Sequence, residues 1–195
     1  MMARRSPGPS PSASPSHSPR GLGAAALAAT LLWALASGAA QAVGIPPAYA
    51  PLVIEPAGGP DRAEFDLGPA LARAKRENKR LYVYLGASDC PYCRRYENFL
   101  NKNAGELVPH FRPWIVVDLR SALSTTSKQL HIRVGDKSLA YTEFQRSIGD
   151  ERTRMLVYPS VWLFDPQLKP LMQMPAGTGT FETVDEQLEI LNLVQ

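Results

Sequence analysis

Two hydrophobic periods alternate along this chain, and the places where one gives way to the other lay out its elements. Leu81-Tyr82-Val83-Tyr84-Leu85-Gly86-Ala87 has the length and the aliphatic and aromatic content of a strand. From Arg94 to Asn103 there is no Gly or Pro, and the apolar residues Tyr96, Phe99 and Leu100 fall at helical spacing. Upstream, Leu67, Leu71 and Ala74 share one face of a helix predicted from Leu67 to Asn78, with Asp66 as its N-cap and Pro69 tolerated in its first turn. Within residues 111–119, Trp114-Ile115-Val116-Val117 reads as a buried parallel strand, reached by a helical crossover. Leu130 to Val134 alternates as a strand, Gly135-Asp136 marks a turn, and Leu139 to Ile148 carries Tyr141, Phe144 and Ile148 at helical spacing. After Pro159 comes the apolar strand Ser160-Val161-Trp162-Leu163-Phe164, whose turn Asp165-Pro166 leads to an antiparallel partner over Pro170 to Met174. Gly177 and Gly179 precede a last helix, Val184 to Leu193, with Leu188, Ile190 and Leu191 facing the sheet. Helices and strands in this order predict an α/β domain with a central mixed sheet flanked by helices.

The N-terminal stretch follows neither period. Residues 1–20 are rich in Pro and Ser, with three arginines and no acid, and cannot bury enough apolar surface to offset ordering. Leu22 to Ala36 is uncharged and mostly apolar, and Ala40-Gln41-Ala42 supplies the small residues of a cleavage site, so residues 1–42 read as a secretory signal peptide with a disordered leader. The alternative is an uncleaved anchor, although the apolar stretch is shorter than the roughly 20 residues that span a bilayer. Either way the remaining chain is expected outside the cytoplasm, in the periplasm or secreted. Residues 43–63, with Pro46, Pro47, Pro51, Pro56 and Pro60, read as a linker containing an edge strand at Leu52-Val53-Ile54, and residues 64–195 as the folded domain.

Composition changes this picture little. The chain is 45% hydrophobic and 20% charged, as expected of a globular domain. Its net charge of +3 resides in Arg4, Arg5 and Arg20, so the domain is balanced and nothing in it asks for nucleic acid.

The candidate chemistry is concentrated in Cys90-Pro91-Tyr92-Cys93, which contains the two cysteines of the chain. The predicted strand ends just before this pair and the predicted helix follows it. Unpaired N–H groups and the helix dipole at such a junction favour a thiolate over a thiol. A structural zinc site wants four ligands, and beyond the leader the chain adds only His110 and His131, which read as structural histidines. Met155, Met172 and Met174 show no spacing that argues for copper, and Trp114, Trp162 and Phe164 read as core.

Strand, CxxC, helix and a later proline-led strand, from about Glu64 to Leu193, resemble the thioredoxin superfamily, and its secreted branch in particular. The resemblance implies a thioredoxin fold with an inserted segment before the strand that the proline leads. It also implies a cis Pro159 beside the cysteines, with Tyr158 near both the pair and an extended substrate. Cys90 would be the exposed attacking thiolate and Cys93 the buried resolving thiol. Pro91 and Tyr92 match the dipeptide of glutaredoxins, which hints at a less reducing pair than in thioredoxins. Two positions depart from thioredoxins. Tyr84 stands where a buried carboxylate precedes the first cysteine by six residues, and Asp89 stands where Trp is usual. Asp89 would oppose a Cys90 thiolate, Arg94 one turn beyond Cys90 would offset it, and Arg95 is expected to be solvated. The implied activity is thiol:disulfide exchange without a cofactor or metal beyond the redox-active pair Cys90 and Cys93. Its partners would be protein or small-molecule thiols and disulfides, with a membrane electron donor or acceptor. The alternative from another class is a secreted binding module that holds copper or a client protein through the same cysteines.

Overall fold

The computed structural model describes residues 44–59, 61–149, 155–173 and 183–193. The expected signal peptide, residues 1–42, lies outside them, as do Met174, Gly177 and Gly179. The strands are β1 (Leu52–Ile54), β2 (Ala63–Asp66), β3 (Arg80–Ala87), β4 (Trp114–Ser121), β5 (Leu130–Val134), β6 (Lys137–Ala140), β7 (Ser160–Phe164) and β8 (Pro170–Gln173). The helices are α1 (Gly68–Glu77), α2 (Pro91–Lys102), α3 (Ala104–Leu107), α4 (Tyr141–Ser147) and α5 (Val184–Leu193).

Five strands form a mixed sheet in the order β1-β4-β3-β7-β8. β1 and β3 run parallel to β4, whereas β7 is antiparallel to both β3 and β8. Burial explains why β3 is central. Leu81, Val83 and Leu85 join a core with Phe65, Trp162 and Phe144, while Tyr82 and Tyr84 join a second with Tyr96, Leu100 and Leu191. A strand covered on both faces loses the alternation of a half-buried one and reads as a continuous apolar run. Among the described residues no helix is long and apolar enough to cross a membrane.

The segment inserted between β4 and β7 builds its own layer. β5 and β6 form a hairpin across Gly135, which turns through φ +59°, and β2 adds to β5 in parallel. Glu64 ties the three strands together through Ser138, Arg133 and Arg62, and those hydrogen bonds hold its carboxyl at about 2. α4 docks this layer onto the main sheet, with the Phe144 ring edge-on to Trp162 at 5.7 Å between centroids.

Several boundaries differ from the expected ones. Asp66 closes β2, and α1 begins at Gly68, whose N–H donates to Asp66 Oδ1 at 2.8 Å. Leu139 belongs to β6 and not to the following helix, because the hairpin continues to Ala140. The stretch expected to be a linker is laid along the domain: β1 pairs with β4, and Ile45 and Tyr49 are buried. The Tyr49 hydroxyl donates to Leu100 O at 2.8 Å, which fastens that stretch to α2.

Candidate active site

β3 ends at Ala87, and a turn of Ser88 and Asp89 delivers Cys90 to the N-cap of α2. The turn is pinned twice: Cys90 N–H donates to Ala87 O at 3.1 Å, and Ser88 N–H to Ser121 O at the end of β4 at 3.0 Å. Cys90 is extended, and its Sγ accepts the Cys93 N–H at 3.2 Å, as a capping side chain does. Pro91 opens the helix where its missing N–H leaves no bond unmade. A thiolate at this position would receive the N-terminal dipole and a backbone N–H together.

Opposite lies the loop before β7. The Tyr158-Pro159 peptide bond is cis, and the Cys90 thiol reaches Tyr158 O at 3.8 Å. The Tyr158 side chain packs on Ala87, Cys90 and Cys93, and its hydroxyl pairs with Ser121 Oγ at 2.7 Å. Burial pushes the Tyr158 phenol up to about 12. Cys90 is therefore not the exposed thiol expected from sequence: only 2% of the residue is accessible, because capping turns Sγ inward and Tyr158 covers it.

Cys93 is buried completely. Its Sγ accepts the Ala87 N–H at 3.4 Å, and the Tyr84 hydroxyl is among the groups that act on the thiol. Burial raises the Cys93 thiol far above its usual range, and its hydrogen bond with Cys90 adds to the effect. Both thiols are free. Tyr84, also buried, donates to Glu97 Oε1 at 2.8 Å.

The remaining candidates lie at the surface. Asp89 accepts the Leu123 N–H at 2.8 Å, so its charge is tied to the loop after β4 instead of standing free beside Cys90. Arg94 is exposed on α2, and Tyr92 is 57% exposed. His131 lies in β5, with Nδ1 against Gln129 O, and His110 in the turn Val108–Phe111 that leads toward the opposite end of β4. Among the described residues no three His, Cys, Asp or Glu cluster as metal ligands.

Two buried carboxylates escape a reading by motif. Glu97 is only 6% exposed, and its sequence signal is its place four residues after Cys93, between the core residues Tyr96 and Leu100. Asp118 stands beside Tyr84 in the register of β3 and β4. Its Oδ2 accepts the Ile45 N–H and the Arg120 Nε, each at 3.1 Å, and burial pushes its carboxyl up to about 6.

Comparison with known proteins comes to the same part of the chain. The sequence model of a family described as a thioredoxin-like domain matches residues 67–191. No curated protein matches. Among solved structures, the chain is similar to a thioredoxin-fold protein from Helicobacter pylori, with 16% identity and a TM-score of 0.40 over 60% of this chain and 70% of that one. It is also similar to the exposed lipoprotein thioredoxin of Streptococcus pneumoniae, with 18% identity and a TM-score of 0.35 over 63% and 88% of the two chains. A third similarity is to the first two thioredoxin domains of Saccharomyces cerevisiae Eps1p, with 14% identity and a TM-score of 0.30 over 70% and 41%.

Proposed function

The chain belongs to the thioredoxin-like domain family, and on that premise we propose that it is a thiol:disulfide oxidoreductase acting outside the cytoplasm through Cys90 and Cys93. The observation that carries this reading is Cys90 Sγ at the N-cap of α2, 3.2 Å from the Cys93 N–H and 3.8 Å from the carbonyl that precedes Pro159. Cys90 attacks a substrate disulfide as the thiolate, forming a mixed disulfide and releasing one substrate thiol. Cys93 then attacks Cys90 Sγ, the bond to the substrate breaks, and the second substrate thiol leaves. The substrate gains two electrons, and the protein is left with a Cys90–Cys93 disulfide. The reverse sequence oxidises a dithiol, and the net direction follows the partner that resets the pair.

In this reading the two cysteines take different roles. Cys90 is the attacking thiol because it caps the N-terminus of α2 beneath Tyr158, and Cys93, inside the helix and fully buried, is the resolving thiol. Tyr92, exposed in the motif itself, offers an apolar contact to a polypeptide beside the pair. Support for a site outside the cytoplasm comes from the apolar stretch Leu22 to Ala36 and the small residues Ala40-Gln41-Ala42. In an oxidising compartment a reductase of this kind takes its electrons from a membrane donor, and an oxidase passes them to a membrane acceptor. The mature protein is expected to accelerate the reduction of insulin by dithiothreitol, followed as turbidity of the released B chain. Insulin reduction at the rate of dithiothreitol alone would contradict the reading.

A further inference from the structure

Cys93 presents a problem that its surroundings answer. Its thiol must give up a proton to resolve the mixed disulfide, yet the residue is inaccessible to bulk water. Around its sulfur stand Cys90 Sγ, the Ala87 N–H, the Tyr84 hydroxyl and the Tyr158 ring, whose own hydroxyl is paired with Ser121 Oγ. Tyr84 in turn donates to Glu97 Oε1 at 2.8 Å, and Glu97 lies one helical turn beyond Cys93 on the same face of α2.

The chain also makes room for this arrangement. A Cβ at Gly86 would stand 2.5 Å from Tyr84 Cε1 and 2.8 Å from its hydroxyl oxygen, so the ring occupies space that only glycine leaves open. Burial holds the Tyr84 phenol far above its usual range, so it does not serve as a lasting base. A phenol can still accept a proton at oxygen while passing on its own. Asp118 on β4, the register partner of Tyr84, also acts on Glu97, with its charge held against Arg120, and the Tyr96 hydroxyl is turned away to Tyr82 and Gln187.

Resting on the exchange reading above, we propose that Tyr84 and Glu97 form a proton relay for Cys93, with Glu97 the final acceptor acting through the tyrosine. As the Cys93 sulfur bonds to Cys90 Sγ, its proton passes to the Tyr84 oxygen and the Tyr84 proton passes to the Glu97 carboxylate. The bond between Cys90 and the substrate breaks, and its electron pair leaves on the substrate sulfur. Glu97 then returns the proton to solvent or to the departing thiolate, and Tyr84 is neutral before and after. Tyr84, on β3, is thus a catalytic residue and Glu97, on α2, a positioning residue that acts through it.

Mixing the reduced protein with excess dithiobisnitrobenzoate separates the two steps. Cys90 releases the first thionitrobenzoate and Cys93, resolving the adduct, the second. The relay predicts that E97Q and Y84F keep the first phase near the wild-type rate and slow the second by about 10²-fold, the scale of a lost general base. It also predicts that G86A slows the second phase. In wild type the second-phase rate shows a carboxylate inflection with pH, and in E97Q that inflection is gone. The double variant E97Q/Y84F is no slower than the slower single one, because the two groups act in series. A second phase in E97Q with the wild-type rate and inflection overturns the relay, and an inflection that survives there alone does so too, pointing to Asp118. If E97Q loses its near-ultraviolet circular dichroism, Y84F, which keeps the ring, decides by its second-phase rate. A wild-type protein that releases no thionitrobenzoate, or never a second equivalent, would instead contradict the exchange reading itself.

Discussion

Cys93→Ser is expected to turn the protein into a trap that holds its substrate as a stable mixed disulfide through Cys90. The N–H that caps Cys90 Sγ belongs to the backbone of residue 93 and survives the substitution, so the nucleophile keeps its activation. What disappears is the one sulfur placed to release the adduct. Cys90→Ser has the opposite outcome: the remaining thiol is buried and far above its usual pKa range, so no adduct forms. Both variants should lose turnover by at least about 10³-fold, the scale on which removing a nucleophile acts. Mass spectrometry of the unreduced protein, after exposure to a peptide disulfide, separates the two. A stable adduct on Cys90→Ser, or none on Cys93→Ser, would reverse the assignment of roles.

The second large effect concerns the inserted segment. Phe144 on α4 stands edge-on to Trp162 and to Phe164, with ring centroids 5.7 Å and 6.4 Å away, and shares their core. Phe144→Ala removes a buried ring at the point where the insertion meets the main sheet, and is expected to cost about 3–5 kcal/mol. Against the roughly 5–15 kcal/mol that holds a domain together, that is a severe loss. Urea unfolding should show it as a lower midpoint with an unchanged slope. A cost under about 1 kcal/mol would mean that α4 lies on the surface of the domain and outside its core.

The parts of the fold legible in the sequence were those whose burial leaves a simple pattern. β3 and β7 are covered on both faces, so their apolar runs stand out, and α2 shows its inner face as Tyr96 and Leu100. β2 was hidden because Ala63–Asp66 contains one large apolar residue, Phe65, and buries its Glu64 in an ion network instead. The prolines between residues 46 and 60 spoke for a linker, yet Ile45 just before them and Tyr49 among them reach the core. At the site, the CxxC spacing located both sulfurs and the proline-led strand located their neighbour. The spacing could not reveal that Tyr158 covers Cys90, since that contact joins residues far apart in the chain. Nor could a motif reveal Glu97, whose meaning depends on a tyrosine presented by a different element.

The central claim, that Cys90 and Cys93 cycle between dithiol and disulfide, is tested most directly by equilibrating the protein in graded glutathione and dithiothreitol buffers. Thiols are then trapped and counted by mass. The account predicts one two-electron transition that joins Cys90 to Cys93, with a midpoint between about −270 mV, as in thioredoxin, and about −120 mV, as in strongly oxidising relatives. A protein that keeps two free thiols, or forms only separate adducts at the two cysteines across that whole range, would contradict it.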